Sequence, residues 1–258
     1  MTHFEYMTQV MKPTDGRLSK SWKDTVDDAI TNKDWDLYDQ LIQKEVADYN
    51  KRLTGSPGYS PVDWLLVKAI VWVESGGPKT RAWKGRVMQI GNLGDKGYTA
   101  LKNGVVGRYA RSEGSELIIS PELCTDIVRN VPINTPATNI RAGIAYLFTR
   151  MATTTYKTFE DGPIETTSLR QNENFAVVAN RVGSTTEVIV RLNNHLNPKR
   201  LPPGIDIKYR KARVERIISA WKSFTVENIA DLYNVGDELY VDKLNYVLGL
   251  FKRLRRER

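Results

Sequence analysis

Residues 71 to 92 read VWVESGGPKTRAWKGRVMQIGN, and Glu74 stands there at the end of an apolar run that begins at Trp64 and is broken only by Lys68. Upstream, Ser60 reads as an N-cap, Pro61 as the first helical position and Asp63 as a first-turn acid, while Gly76 and Gly77 mark the end. A helix that is apolar nearly all round is a buried one. The run therefore predicts a helix inside an α-helical core, with Glu74 in its last turn. Burial disfavours a carboxylate, and the negative end of the helix dipole acts in the same direction. Together they favour the protonated form that a general acid needs. The competing reading is a surface glutamate at a frayed helix end.

Working outward, DWDLYDQLIQKEVADYNKRL (34–53) spaces Trp35, Tyr38, Leu41, Ile42 and Tyr49 as an amphipathic helix closed by TGSPGYSP. Residues 76 to 116 are rich in glycine, with RVMQIGN (86–92) as an apolar island, and read as a folded loop region that lines a cleft. Ser120 and Pro121 open a further helix that carries Cys124 as a buried thiol. In TNIRAGIAYLFTRM (138–151), Ile140, Ile144, Leu147 and Phe148 share one helical face. The texture changes over 160–212, which reads as a strand, two short helices, a proline-rich loop and a second strand. Helical texture returns from Arg213, where Ile217, Ile218, Trp221, Ile229, Leu232, Val247, Leu248 and Phe251 rejoin the core. The expected fold is mainly α, with a small βααβ segment inserted: a flexible leader over 1–20, a helical domain over 21–160 and 213–258, and the insert over 161–212.

A chain of 258 residues that is 41% hydrophobic can bury a sizeable core. Lys and Arg exceed Asp and Glu by 38 to 30, a formal +8, which suits an acidic or polyanionic environment: nucleic acid, a membrane face or bacterial cell wall. No nucleic-acid reading motif accompanies the charge, and the closing KRLRRER reads as a solvated helix end. A single cysteine excludes an internal disulfide, and two histidines, His3 and His195, exclude an HExxH site. Hydrolytic chemistry would have to run on carboxylates, with no metal and no cofactor. The apolar run from Trp64 is too short to span a bilayer. The first twenty residues lack the pattern of a secretory signal, so synthesis in the cytoplasm is expected.

ESGGP (74–78), RVMQI (86–90), NIRAGIAYL (139–147), LYNVG (232–236) and LNYVLGLFKRL (244–254) follow one another as do the motifs of soluble lytic transglycosylases, which the chain resembles. The resemblance implies a lysozyme-like domain in which Glu74 is the sole catalytic acid/base. Ser75, Met88, Gln89, Ile90, Tyr233 and Asn234 would line or close the sugar cleft together with Gly236, and Asn139, Ile140, Gly143, Tyr146 and Leu147 would be scaffold. The implied reaction cleaves the MurNAc–GlcNAc β-1,4 bond: one carboxyl protonates the leaving oxygen, the acetamido group assists, and the sugar's own 6-hydroxyl attacks to give an anhydro end. The loop between Glu74 and Gln89 is shorter than the family's, and Arg86 and Val87 stand where Gly-Leu is usual, so Arg86 and Trp83 are expected to reshape the cleft. A hydrolytic muramidase would require a second carboxylate, for which Asp95, Glu113, Glu116 and Glu122 are candidates. Asp95, within GNLGDKG, reads more simply as a turn residue. The Tyr233 phenol either bonds Glu74 or the sugar, or packs in the core.

NFAVVANRVGSTTEVIVRLNN (174–194) and NPKRLPPGIDIKY (197–209) resemble the helices, loop and second strand of a LysM peptidoglycan-binding module. That resemblance implies a groove between loops 171–174 and 193–204, with Asn172, Asn174 and Asn197 donating amide hydrogen bonds to N-acetylglucosamine-containing chains. Asn172 and Glu173 replace the usual Gly-Asp; the alternative is a small docking domain that binds no sugar. The combined expectation is a peptidoglycan lytic transglycosylase, delivered as an antibacterial effector by a type VI-like apparatus to the wall of a target cell. Its partners would be glycan strands, a secretion component and an immunity protein. The alternatives are a lysozyme-type muramidase and an inactive wall anchor.

Overall fold

The computed structural model describes residues 17–256, so most of the 1–20 leader, with His3, lies outside the described residues. In chain order the main elements are α1 (Lys20–Asp27), α2 (Asp39–Leu53), α3 (Trp64–Ser75), α4 (Lys96–Val105), α5 (Pro121–Val128), α6 (Pro136–Met151), β1 (Ala152–Ser168), α7 (Phe175–Val182), α8 (Thr186–Leu192), β2 (Asp206–Trp221), α9 (Val226–Leu232) and α10 (Tyr240–Arg256). The fold is mainly α, with β1 and β2 forming a two-stranded antiparallel sheet. The chain divides into two compact units: one runs to Thr153 and resumes at Ile218, and the other is Thr154–Ile217. Among the described residues, no helix is long and apolar enough to cross a membrane.

The core of the first unit is built around α3, where Val67, Ala69, Ile70 and Val71 are fully buried. Its start differs from the expected one. Asn50 accepts the Val62 N–H at 2.8 Å and donates to the Val62 carbonyl at 2.9 Å, which keeps that residue out of the helix. Asp63, not Ser60, is therefore the cap, and its carboxylate accepts the Leu65 N–H at 2.9 Å. Gly76, at φ 70°, ends the helix in the left-handed conformation that glycine adopts without strain. Lys68 is tolerated inside the apolar run because its ammonium pairs with Asp36 at 2.6 Å and Asp39 at 2.8 Å. Trp72 packs against Trp35 and Phe251, and Ile140, Ile144, Leu147 and Phe148 of α6 are all fully buried, as their spacing predicts.

Three other expectations change. The glycine-rich stretch contains helix α4, capped by Asp95, in addition to loops. Cys124 is half-buried; Leu123 and Ile127 carry the buried face of α5. Residues 213–221, expected to be helical, form the end of β2, although Ile218 and Trp221 still pack on the first unit's core.

The second unit contains most of both long strands together with α7 and α8, around a small core of Leu169, Phe175, Val178, Ala179, Ile189 and Ile207. Asn193 is fully buried and ties the end of α8 to β2. It donates to the Ile189 carbonyl at 2.8 Å and the Lys208 carbonyl at 2.7 Å, and accepts the Lys208 N–H at 2.9 Å.

Candidate functional site

Glu74 is half-buried in the last turn of α3. Its Oε1 accepts two hydrogen bonds, from Asn234 Nδ2 at 3.0 Å and from the Tyr240 hydroxyl at 2.7 Å. Burial pushes the Glu74 carboxyl above the ordinary range; the Tyr240 and Asn234 donors pull it back, the charge of Asp237 pushes it up and the Lys243 ammonium pulls it down. Asp237 and Lys243 pair with each other at 2.6 Å. Tyr240 is fully buried at the first position of α10, and burial together with the nearby Glu74 charge drives its phenol well above the usual tyrosine value.

The Met88–Ile90 segment is anchored at both ends by one buried side chain. Asn139, on α6, accepts the Met88 N–H at 2.8 Å and donates to the carbonyls of Ile90 and Ile133, both at 2.9 Å. Met88 also lies directly on Gly143, where a Cβ would meet the Met88 sulfur at 2.5 Å. Between Met88 and Ile90, both buried, Gln89 has φ 55°, an uncommon conformation for a residue with a side chain. Its side-chain amide donates to the Arg86 carbonyl at 3.1 Å, and its Oε1 accepts from Asn92 at 3.2 Å. Tyr233 bridges to the same segment: its hydroxyl donates to the Met88 carbonyl at 2.9 Å, and its ring lies 5.9 Å from that of Tyr146. The hydroxyl bonded to Glu74 is therefore that of Tyr240, and Tyr233 is spent on the loop.

The other predicted residues serve local structure. Ser75 is buried, and its hydroxyl donates to the Val71 carbonyl at 2.6 Å and accepts the Gly77 N–H at 3.2 Å, finishing the helix. Trp83 is buried against Trp35 and Tyr38, so of the two residues expected to reshape the cleft only Arg86 is exposed. Asp95 accepts the N–H groups of Gly91 and Gly97 with its two oxygens, Glu113 pairs with Arg150 at 2.6 Å, Glu116 bonds Ser112, and Glu122 is exposed in the first turn of α5. A cavity of about 250 Å³ borders the loop after α3; Asp24, Asp28, Trp35 and Lys79 line it, and none of the predicted site residues does. Among the described residues, no group of three or more His, Cys, Asp or Glu could hold a metal ion.

In the second unit, Leu169 donates to the Ile205 carbonyl and accepts from Gly204 N–H, both at 2.8 Å, joining the segment before loop 171–174 to the end of loop 193–204. Asn172 has φ 64°; Asn174 caps α7 by accepting the Val177 N–H at 3.0 Å; Asn197 accepts the Lys199 N–H at 3.0 Å. All three are exposed, and the amide nitrogens of Asn174 and Asn197 have no protein acceptor among the described residues. Glu173 is gripped by Arg181 at 2.7 and 2.8 Å and accepts the Arg170 N–H at 2.9 Å, which pulls its carboxyl below the usual range.

Tyr240, Asp237 and Lys243 escaped sequence reasoning. Tyr240 opens α10 six residues beyond Asn234, which lies in the turn before that helix, so neither helical nor strand periodicity relates the two. No family model matches the chain, and no curated protein and no solved structure matches it either.

Proposed function

We propose that the first unit is a peptidoglycan lytic transglycosylase with Glu74 as its single acid/base, and that the second is a LysM-like module that holds glycan strands. The observation that carries this reading is a half-buried carboxyl, raised by burial, with two donors on one oxygen and, among the described residues, none on the other. Such a group can give a proton to a glycosidic oxygen and take one back. The Glu74 proton would go to the leaving oxygen, and the muramic 6-hydroxyl would attack the anomeric carbon and return a proton to the same carboxylate. The engagement of Asp95 by two backbone N–H groups and of Glu113 by Arg150 favours this single-carboxyl route over hydrolysis. Exposed amide nitrogens at Asn174 and Asn197 suit the acetamido groups of a glycan. A holding module linked to a cleaving one raises the local concentration of substrate. Bacterial cell wall is thus the proposed site of action, in the manner of an antibacterial effector.

Digestion of purified sacculi followed by mass spectrometry tests this directly. Anhydromuramic ends are expected, with activity reduced about a hundredfold or more in Glu74→Gln, the range that general acid–base catalysis supplies. Reducing ends would replace the lyase with a muramidase, and unchanged cleavage by Glu74→Gln would remove Glu74 from the chemistry.

A further inference from the structure

The two donors around Glu74 converge on the same atom. Asn234 Nδ2 at 3.0 Å and Tyr240 Oη at 2.7 Å both reach Oε1, and among the described residues Oε2 accepts no hydrogen bond. In a protonated carboxyl, the oxygen that accepts two hydrogen bonds is the carbonyl oxygen, and the proton resides on the other. Tyr240 has no accessible surface, so it acts through Glu74 and does not itself meet a substrate. It sits in the first turn of α10, fixed by its own backbone N–H to the Asp237 carbonyl at 2.9 Å, and Asp237 in turn is pinned by Lys243 and by the Leu239 N–H.

We infer that Tyr240, with Asn234, is a positioning residue for the proposed acid: the pair holds Oε1 as the accepting oxygen and assigns the transferable proton to Oε2. The inference rests on the function proposed above and adds which atom does the chemistry. In the step itself the glycosidic C–O bond breaks, its electron pair stays on the leaving oxygen, and that oxygen takes the Oε2 proton. The 6-hydroxyl oxygen then bonds to the anomeric carbon and its proton returns to Oε2, so the enzyme ends as it began. Asn234, expected from sequence to contact the sugar, is reassigned to this supporting task.

Among the described residues, the fields of Tyr233, Tyr240, Asp237 and Lys243 reach Glu74, and of these four Tyr240 hydrogen-bonds it. Tyr240→Phe removes one hydroxyl from a packed ring and leaves the other three in place. A hydrogen bond to an ionised group is worth enough to expect a fall in kcat of about tenfold with KM within about twofold. A carboxylate that loses a donor becomes harder to ionise, so the alkaline limb of the kcat profile moves to higher pH. A ¹³C-carboxyl NMR titration of Glu74, assigned by its absence from Glu74→Gln, reads the same shift without substrate. An upward shift with the kcat loss supports the inference. A lower kcat with neither the limb nor the titration moved would mean a merely structural role and overturn it, as would an unchanged kcat with an unmoved titration. If the titration shifts but wild-type protein cleaves no peptidoglycan, the positioning contact stands and the proposed function falls. Should Tyr240→Phe fail to fold, Asn234→Ser, at a half-exposed turn, must produce the same upward shift.

Discussion

Asn139→Ala is the sharpest test of how the Met88–Ile90 segment is held. Asn139 has no accessible surface, and its three hydrogen bonds go to the N–H of Met88 and the carbonyls of Ile90 and Ile133, residues that are themselves buried. Alanine would leave all three backbone groups without partners and out of reach of water. Each buried unsatisfied group costs about 1–3 kcal/mol, and the costs are not additive because the groups share one loop. A net loss of about 3–6 kcal/mol follows, against a total stability of roughly 5–15 kcal/mol for a typical domain. All six tryptophans (22, 35, 64, 72, 83 and 221) belong to the first unit, so tryptophan fluorescence during urea unfolding reports that unit alone. At about 2–4 °C per kcal/mol for a unit of this size, the melting temperature should fall by about 10 °C. Gln89, held at φ 55° between anchored neighbours, should relax towards ordinary backbone angles, visible as large amide shift changes at Gln89 and Ile90. A variant within about 1 kcal/mol of wild type would refute the claim that Asn139 is the segment's main anchor.

Two further outcomes follow from the same region. Glu74 has a folded pKa above its unfolded one, so the stability it contributes is complete below the ordinary glutamate value of about 4.3 and is lost as pH rises through the folded value. Glu74→Gln, uncharged and of the same shape, should therefore melt above wild type at pH 8, with the gap closing towards pH 4; a pH-independent gap, or a lower melting point at pH 8, would contradict the raised carboxyl. Gly143→Ala gains about 1 kcal/mol of helix propensity, but its Cβ would sit 2.5 Å from the Met88 sulfur and 2.6 Å from the Met88 Cβ. Met88 is anchored by Asn139 and cannot yield, so overpacking of about 1–3 kcal/mol prevails. Urea unfolding should show net destabilisation, and a gain in stability would refute the anchoring.

What the sequence made legible depends on where the deciding interaction lies. The end of α3 at Gly76 and the cap of α5 at Ser120 are decided by residues within a few positions, and both stand where the sequence puts them. The start of α3 is decided by Asn50, twelve residues upstream, which takes the backbone of Val62. Helix α4 was hidden by Gly97 and Gly104, poor helix formers in isolation. Both are required by packing, since a Cβ on them would strike Tyr146 and Ser115 respectively. RVERIISAW (213–221) places Val214, Ile217, Ile218 and Trp221 at helical spacing, yet it pairs with β1: for a short apolar segment, periodicity does not separate helix from strand, and tertiary pairing decides. At the site, Glu74 was legible from its apolar approach and its glycines, whereas Tyr240 became visible only once α10 lay against α3.

The turn from Tyr233 to Tyr240 explains why the site behaves as one object. Tyr233 grips the Met88 carbonyl, while Asn234 and Tyr240 grip Glu74, so a single segment fixes both the loop that Asn139 anchors and the acid that α3 presents. Two hydrogen bonds and the Lys243 ammonium all favour the ionised form of Glu74, yet its carboxyl remains above the ordinary range. Burial, the largest influence, outweighs them. The proton's availability is therefore set first by how dry the site is kept, and the individual partners adjust it from there. Any change that loosens the 233–240 turn and admits water should lower the Glu74 pKa, even though it removes donors that by themselves would have lowered it. Tyr240→Phe, which removes a donor while keeping the ring in place, separates these two effects, because loss of the donor raises the pKa and entry of water lowers it.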